Sequence, residues 1–319
     1  MDASHRQARA FAPAGVGNIG VGFDLLGHVI EGPRDVATVR RIDEPVVRID
    51  AVRGEVRGIG RIPLDAETNT AGRALLQLRA ALRLPHGFAV ELDKGIPLGS
   101  GLAGSAASCV AALVAANALL DAPLPREALY PFALEGEWAS THSHQGDNVG
   151  PMLVGGVALA TSTLLLRLDV PDWLHCVAVQ PELVLETRQA RAVLAEPYPL
   201  EQVVRHSSHL ALFLTGLSRG DAGLIADGLH DVLVEPRRAP LIPGFAAVKQ
   251  AALDHGALGA SISGGGPSCF AWFASRAAAE AAAPDMVAGF TAAGVAARAH
   301  VSPVAAPPAG LLAPPTAPL

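Results

Sequence analysis

A glycine-rich stretch near the middle of the chain, residues 97–108, has the composition of a phosphate-binding loop. An alternating segment over 88–92 precedes it and an alanine- and leucine-rich run over 106–120 follows, so the loop is predicted to join a strand to a helix. The first N–H groups of a helix have no partner within the helix, and the helix dipole places partial positive charge there. Because glycine has no side chain, the backbone can approach an anion closely. The stretch therefore predicts a phosphate site.

Other interpretations of this stretch compete with that one. The spacing Gly99-x-Gly101-x-x-Gly104 matches the dinucleotide-binding fingerprint, which needs an acid at the end of a second strand about 20 residues on. Asp121 stands at about that distance but directly follows the predicted helix. A P-loop requires Gly-Lys-Ser/Thr, and Gly104-Ser105 lacks the lysine. A glycine turn that only allows close packing is the remaining alternative, and Ser105 either caps the helix or turns its hydroxyl toward a metal ion.

Acidic side chains gather around a second predicted loop, residues 140–146. Glu135 and Glu137 precede this loop, and Asp147 and Asn148 follow it. A kinase needs an acid that holds Mg²⁺ and a group that orients the nucleophile, because phosphoryl transfer depends on positioning and charge neutralisation. The alternative is a solvated helix end, which is our interpretation of Glu135.

Two further glycine motifs complete a pattern that resembles the GHMP kinase family, which includes galactokinase, mevalonate kinase and homoserine kinase. The central motif is Pro97-Leu-Gly-Ser-Gly-Leu-Ala-Gly-Ser-Ala-Ala107. Ala12-Pro-Ala-Gly-Val-Gly-Asn-Ile-Gly-Val-Gly-Phe-Asp-Leu-Leu-Gly27 resembles the amino-terminal motif in its homoserine kinase form, and Ser261-Ile-Ser-Gly-Gly-Gly-Pro-Ser268 resembles the carboxy-terminal one. The three motifs occur in the family's order and span nearly the whole chain.

The resemblance implies an ATP and Mg²⁺ site. We expect the nucleotide to contact Pro97, Leu98, Gly99, Ser100, Gly101, Leu102, Ala103, Gly104, Ser105, Ala106 and Ala107. Glu137 stands ten residues before Asp147, as the family's magnesium-binding glutamate does relative to its Asp-Asn pair, so Ser105 and Glu137 are the expected metal ligands. Asn148 is expected to contact the acceptor hydroxyl. Asp147 is the other candidate catalytic residue, and whether it is a general base stays open.

The resemblance also implies a site for L-homoserine. Residues 187–191 resemble the family's Thr-Lys-x-Ala-Arg, and residues 235–243 resemble its Glu-Pro-x-Arg-x-x-Leu-Ile-Pro. A pair of guanidinium groups suits an α-carboxylate because each can bind two oxygens. We expect Arg191 and Arg238 to bind the substrate. The neighbouring arginines are assigned to the surface: Arg188 and Arg237.

The amino-terminal motif is expected to supply the rest of the amino-acid site. A bare glycine loop with an Asx turn would explain this stretch alone, but with its partner motifs Asn18 and Asp24 are implied to hold the substrate, with the carboxylate facing its ammonium group. The family's His-x-Asp-Asn is here Gln145-Gly-Asp-Asn, with His144 one residue early. An amide donates a hydrogen bond to a carboxylate but carries no charge. Either Gln145 substitutes for the histidine or His144 swings in, and reduced activity is a third alternative.

The fold class implied by the resemblance is α+β, with a domain like the second domain of ribosomal protein S5 followed by a ferredoxin-like domain. We expect the ATP-binding domain over 1–170, the second domain over 171–304, and a loosely packed Pro/Ala-rich tail over 305–319. Segments 36–42 and 46–52 are predicted to pair as strands. Helices are predicted over 70–84, 105–120, 126–137, 187–194, 201–217, 244–255 and 276–293.

Composition narrows the functional classes. The 319 residues are 50% hydrophobic, as expected of a globular protein, and a net charge of −6 disfavours nucleic acid as a partner. Cys109, Cys176 and Cys269 are widely spaced in apolar stretches, which is typical of buried thiols in a reducing compartment. Residues 1–9 contain no apolar run, so we expect a cytoplasmic protein. The apolar run over 106–120 is shorter than the ~20 residues of a membrane span, so no membrane association is expected.

The function implied by the resemblance is phosphorylation of L-homoserine to O-phospho-L-homoserine in threonine biosynthesis, by a homodimer that uses ATP and Mg²⁺. Another GHMP kinase acting on a small alcohol such as mevalonate is the first alternative. A nucleotide-binding regulator without turnover and a nicotinamide oxidoreductase are the others.

Overall fold

Two β-sheets organise the chain, and the computed structural model describes residues 6–313. The seven-stranded first sheet contains β1 (Gln7–Gly17), β2 (Leu26–Ile42), β3 (Val47–Arg53), β4 (Gly87–Asp93), β5 (Val157–Ala160), β6 (Leu165–Leu168) and β11 (Gly310–Leu312). The four-stranded second sheet contains β7 (His175–Pro181), β8 (Gly259–Ile262), β9 (Cys269–Phe273) and β10 (Ala297–Pro303). Strand order is β11-β1-β2-β4-β3 in the first sheet, with β5 and β6 branching from β2, and β10-β7-β9-β8 in the second.

Helices pack on both sheets, and this mixed content confirms the predicted α+β class. They are α1 (Thr70–Ala81), α2 (Gly104–Asn117), α3 (Tyr130–Thr141), α4 (Val149–Val154), α5 (Thr187–Ala192), α6 (Leu200–Arg219), α7 (Ala222–Gly228), α8 (Glu235–Arg238), α9 (Phe245–Asp254) and α10 (Arg276–Ala292). The predicted helices over 70–84, 105–120 and 276–293 agree with α1, α2 and α10 to within a few residues. The predicted helix over 126–137 begins as a 3-10 turn, Arg126–Leu129, before α3.

The helix that follows the central glycine loop lies in the core. Every residue of α2 from Ala106 to Asn117 is buried. Aliphatic side chains of β1 and β2 pack against it, together with α1 and α3. Within residues 6–313, no helix is long and apolar enough to cross a bilayer.

The predicted pairing of segments 36–42 and 46–52 is wrong. Both segments are strands, but β4 lies between them, antiparallel to β2 and parallel to β3. β4 is buried at most positions, whereas exposed residues alternate with buried ones at the start of β3. A strand whose residues are mostly buried is stabilised in the middle of a sheet, and one with an exposed polar face is tolerated at the edge.

The prediction of a loosely packed tail is wrong for residues 305–313. β11 pairs antiparallel with β1, and the Gly156 N–H donates to the Ala306 carbonyl oxygen at 2.9 Å. Ala306 and Ala309 are buried. The apolar residues of this segment cover the edge of the first sheet, which leaves less backbone exposed there. Residues 314–319 of the predicted tail lie outside the described part of the chain.

One face of the second sheet shares a core with the first sheet, whereas its other face packs in a second hydrophobic cluster with α9 and α10. Phe213, Phe270 and Trp272, from α6 and β9, join the cluster formed by the first sheet and α2. The Trp272 indole Nε1 donates to Nε2 of His28 on β2 at 3.2 Å, and both side chains are buried. This packing brings the three glycine motifs to one region between the sheets.

Candidate active site

A cavity of about 870 Å³ opens where the three glycine motifs meet. Its wall includes the central loop from residue 97 to residue 105, except Leu102, and Gly264 to Gly266 of the last loop. It also includes predicted site residues from both halves of the chain: Asn18, Asp24, Glu137, Gln145, Asp147, Asn148, Arg191 and Arg238. Leu102, Ala106 and Ala107, which were also predicted to contact nucleotide, are fully buried behind this surface.

Two glycines of the central loop adopt left-handed backbone conformations. Gly99 and Gly101 have φ angles of 62° and 81°, in the left-handed region that glycine adopts readily. Ala103, also left-handed with φ 60°, precedes α2, and no side chain of the described residues caps this helix end. Ser105 is therefore not a cap, and Gly104 and Ser105, the first two residues of α2, line the cavity. This arrangement suits a phosphate.

The central and last glycine loops are bonded to each other. The Ser263 hydroxyl donates to the Gly101 carbonyl oxygen at 2.7 Å, and the Ser268 N–H donates to the Ser100 carbonyl oxygen at 3.1 Å. A Cβ atom added at Gly101 would lie 2.7 Å from the Gly266 oxygen. Gly101 is therefore required by the approach of the last loop, a reason that the sequence motif did not reveal.

A buried ion pair lies beneath the first turn of α2, and sequence reasoning missed it. The Lys94 ammonium group contacts the Asp35 carboxylate and donates to the Gly104 carbonyl oxygen at 2.6 Å and to the Ser108 hydroxyl at 2.8 Å. Asp35 also accepts from the N–H groups of Gly95 and Ile96, at 3.0 and 3.1 Å. These bonds fix the loop on β2 and β4. The only signal in the sequence was the position of Lys94, one of the chain's two lysines, immediately before the central motif.

Glu137 lies on α3 with its carboxylate buried in the cavity wall. Burial raises its pKa to about 7, and the Ser105 hydroxyl and the Lys94 charge act in the opposite direction. Its Oε1 atom is buried and has no hydrogen-bond partner among the residues described. A divalent cation beside Ser105 would satisfy that oxygen, so these two residues fit Mg²⁺. Since residues 6–313 contain no group of three or more His, Cys, Asp or Glu residues arranged to hold a metal, further ligands would come from nucleotide phosphates and water.

Asp147 and Asn148 lie at the start of α4, directly against the amino-terminal motif. A Cβ atom added at Gly17 would be 2.7 Å from oxygens of both side chains. Burial raises the pKa of Asp147 to about 7, and the negative charges of Asp24 and Glu137 act in the same direction. At neutral pH this carboxyl group is therefore divided between its protonated and ionised forms.

Asp24, Gln145 and Arg191 form a bonded cluster at the other end of the cavity. The Arg191 Nη2 atom lies 3.0 Å from Asp24 Oδ1, and Gln145 Nε2 donates to Asp24 Oδ2 at 2.6 Å. The Arg191 guanidinium also donates to the Gln145 side-chain oxygen. Asn18 accepts from the Asp24 N–H at 3.0 Å and donates to the Gly264 oxygen at 2.9 Å, which holds Asp24 at its left-handed φ of 58°.

Arg238 is buried in the wall beside this cluster. Its Nε donates to the Ala190 carbonyl oxygen at 3.0 Å and its Nη1 to the Gly264 carbonyl oxygen at 2.9 Å. Among the described residues, no carboxylate lies within 4.0 Å of this guanidinium group, so its charge is offset only from a distance. The Arg238 guanidinium lies 5.2 Å from the centre of the Phe23 ring and lines the cavity, where its positive charge suits a carboxylate ligand.

Three other polar residues considered in the sequence, His144, Arg188 and Arg237, lie around this site in different ways. His144 contacts Glu135, with its Nε2 2.9 Å from Oε1, at an exposed position outside the cavity wall. Arg237 donates to the Glu196 carbonyl oxygen at 2.8 Å and stacks on a tyrosine ring, so it anchors a loop. Arg188 is exposed as predicted but lines the cavity, which was not expected.

Comparisons with known proteins agree with this geometry. Residues 69–156 match the family model described as GHMP kinases N terminal domain, and residues 213–291 match the one described as GHMP kinases C terminal. The homoserine kinase of Xanthomonas campestris pv. campestris (strain B100) is 59% identical over 308 residues, which cover 97% of this chain and 95% of that protein. The homoserine kinase of Xylella fastidiosa (strain M12) is 57% identical and covers 96% of this chain and 94% of that protein.

Solved structures show the same likeness. The crystal structure of homoserine kinase from Cytophaga hutchinsonii ATCC 33406 matches with a TM-score of 0.92 at 38% identity, covering 98% of this chain and 99% of that one. L. major mevalonate kinase in complex with R-mevalonate matches with a TM-score of 0.66 at 15% identity, covering 94% of this chain and 97% of that one. At that identity the second likeness concerns the fold alone.

Proposed function

Since the chain belongs to the GHMP kinase family and, within it, to the homoserine kinases, we propose that it transfers the γ-phosphoryl group of ATP to the hydroxyl group of L-homoserine. The product is O-phospho-L-homoserine, an intermediate of threonine biosynthesis. One observation carries the proposal: a phosphate-binding helix terminus and an amino-acid-sized cluster of opposite charges line the same cavity. The two substrates can therefore meet there.

The nucleotide phosphates are proposed to lie on the central loop at the amino terminus of α2. The N–H groups of that terminus and the helix dipole stabilise the negative charge that develops on the leaving phosphate. Ser105 and Glu137 would hold Mg²⁺, and the unpartnered Oε1 atom of Glu137 supports this assignment. When bound, the cation would neutralise phosphate charge and orient the γ-phosphoryl group.

L-Homoserine is proposed to bind between Asp24 and the two arginines. Its ammonium group would pair with the Asp24 carboxylate, and its carboxylate with Arg191 and Arg238. Because Asp24 and Arg191 pair with each other in this structure, a zwitterion can replace both halves of that ion pair at once. An acceptor with only one of these charges would leave Asp24 or Arg191 unpartnered, and a neutral acceptor would leave both, which costs free energy at this partly buried site. We therefore expect a preference for an amino acid over mevalonate or galactose.

The acceptor hydroxyl is proposed to lie beside Asn148. Its oxygen attacks the γ-phosphorus as the bond to the β,γ-bridging oxygen breaks, and the hydroxyl proton passes either to Asp147 or to the transferred phosphoryl group. The raised pKa of Asp147 supports proton acceptance at neutral pH, because a base is most effective when its pKa is near the working pH. Asn18 supports the site by holding Asp24 and the last glycine loop.

We also propose the organisation expected from the sequence: an ATP-binding domain over 1–170 and a second domain over 171–304. The interval between β6 and β7, which contains no regular element, supports a boundary there. A cytoplasmic homodimer remains the expectation from the resemblance, and the net charge of −6 supports an enzyme that does not bind nucleic acid.

ADP formation tests the proposed reaction. The protein is incubated with ATP and Mg²⁺ and, in parallel, with L-homoserine, mevalonate or galactose. We expect ADP and O-phospho-L-homoserine only with homoserine. Turnover with mevalonate instead would show that the acceptor is not homoserine. ATP binding without turnover on any of these acceptors would favour a nucleotide-binding regulator.

A further inference from the structure

Asp231 lies outside the cavity and caps the short helix that presents Arg238. Its Oδ1 atom accepts from the backbone N–H groups of Leu233 and Val234, at 2.9 and 2.8 Å. Its Oδ2 atom accepts from the N–H group of Glu235 at 2.9 Å. The Asp231 side chain is 4% exposed, so these three bonds are shielded from water. One carboxylate thus accepts from the N–H groups of three successive residues that lead into α8.

The four residues of α8 form too short a helix to be stable alone, because helix nucleation is unfavourable. Its conformation therefore depends on the residues that bond its ends. The N–H group of Arg238 donates to the Val234 carbonyl oxygen at 3.1 Å, inside the turn that Asp231 caps. Loss of the cap would remove three of the hydrogen bonds that hold the turn carrying Arg238.

Arg238 passes this constraint on to the second arginine. Its Nε atom donates to the carbonyl oxygen of Ala190, and Ala190 directly precedes Arg191 on α5. Its Nη1 atom donates to Gly264 in the last glycine loop. Both guanidinium groups of the amino-acid site are thereby tied to the turn that begins at Asp231.

Asp231 also contributes charge. Burial lowers the pKa of Arg238 and the charge of Arg191 acts in the same direction, whereas Asp24, Asp231 and Asp147 oppose the shift. Asp231 is thus one of the carboxylates that favour the ionised guanidinium at a buried position.

We propose that Asp231 is a positioning residue for binding of the acceptor carboxylate: it fixes Arg238 directly and Arg191 through the Ala190 carbonyl group. Asp231 does not touch the substrate. The inference rests on the proposed function in one respect, that Arg238 binds the carboxylate of the acceptor.

The test compares four variants of the full chain by steady-state kinetics and thermal unfolding. Asp231→Ala removes the cap, and Asp231→Asn keeps one acceptor oxygen but removes the charge. Asp221→Ala is the matched control, because Asp221 caps α7 through the Leu224 N–H at 3.1 Å and does not line the cavity. Arg238→Lys measures what the clamp itself contributes, since lysine lacks the bidentate fork.

We expect Asp231→Ala to raise KM for homoserine about tenfold or more, close to the effect of Arg238→Lys, with KM for ATP changed less than about twofold. Asp231→Asn should give a smaller rise in the same direction. Asp221→Ala should lower the unfolding temperature and leave both KM values unchanged, because loss of a helix cap alone affects stability.

Two results separate the failures. If Arg238→Lys raises KM for homoserine but neither Asp231 variant does, the positioning role is refuted and the substrate site stands. If Arg238→Lys leaves this KM unchanged, the proposed carboxylate site itself is wrong. Should Asp231→Ala fail to fold, Asp231→Asn decides, and an unchanged homoserine KM in that variant overturns the inference.

Discussion

Replacing Gln145 by alanine should weaken homoserine binding, whereas replacing His144 should not. Gln145 donates to the Asp24 carboxylate at 2.6 Å and accepts from Arg191, so it orients both charges that we propose to meet the substrate. Among residues 6–313, His144 bonds only to Glu135, at the surface. The structure therefore favours Gln145 for the position that the family usually gives to histidine.

The magnitude follows from the kind of bond and its exposure. A hydrogen bond to a charged group contributes about 1.5–3 kcal/mol when shielded from water. The side chains of Asp24 and Arg191 are 25% and 35% exposed, so the lower part of that range applies to the Gln145 contacts together, roughly 1.5–2 kcal/mol. The expected loss in kcat/KM for homoserine is roughly tenfold to thirtyfold.

The assay follows ADP formation at varied homoserine and saturating ATP. KM for ATP should change by less than about twofold in Gln145→Ala, because the side-chain bonds of Gln145 are to Asp24 and Arg191, away from the central loop. His144→Ala removes an exposed contact with Glu135 and should keep the wild-type kcat/KM. Gln145→His should retain activity near neutral pH, since imidazole keeps a donor there.

The opposite pattern would refute this reasoning. If His144→Ala lost homoserine affinity while Gln145→Ala stayed near wild type, His144 would have to swing into the cavity on substrate binding. If neither variant changed kcat/KM, this loop would not reach the acceptor, and the roles proposed for Glu137 and Asp147 would also be in doubt.

Three further predictions concern the loop, the metal ligand and the core. In Gly101→Val, the valine Cβ would contact the Gly266 oxygen and the residue would keep a left-handed φ, which should destabilise the loop conformation by about 1–3 kcal/mol. Calorimetry should show that ATP affinity falls roughly tenfold or more. An affinity within a factor of about two of the wild type would contradict the loop assignment. Folding raises the pKa of Glu137 from 4.5 to about 7, so its contribution to stability is complete below pH 4.5 and is lost as the pH rises through 7. Glu137→Gln should therefore increase the free energy of unfolding at pH 8 by roughly 3 kcal/mol, which raises the unfolding temperature, and should abolish most turnover. A lower unfolding temperature at pH 8 would contradict this prediction. Burial lowers the pKa of His28 from 6.5 to about 4, so its contribution to folding stability is present above pH 6.5 and is lost as the pH falls through 4. The free energy of unfolding should therefore fall less steeply with decreasing pH in His28→Gln than in the wild type. An unchanged slope would exclude His28 as a cause of acid unfolding.

The sequence alone determined the local features of this protein. Glycines at 99 and 101 allow left-handed backbone, and an alanine- and leucine-rich run favours a buried helix, so the strand, loop and helix around the central motif could be predicted. These are properties of neighbouring residues, which the order of residue types already contains. The motifs also predicted the α+β class, through their resemblance to a known family.

Only the tertiary structure decided which distant residues became neighbours. Strand β4 lies between β2 and β3, where most of its residues are buried, and β11 returns from the far end of the described chain to pair with the edge of β1. Neither choice is visible in a segment read by itself. Pairing energy depends on the partner surface, which exists only once the chain has folded.

The same reason applies to the chemistry of the site. Asp24 and Arg191 are 167 residues apart in sequence, and Lys94, which directly follows β4, contacts Asp35 on β2. The pKa of Glu137 rises to about 7 chiefly because the fold removes its carboxylate from water, a quantity that no spacing pattern contains. Residue types could therefore be assigned to a kinase site from sequence, whereas their partners, protonation and support depended on burial and long-range contact.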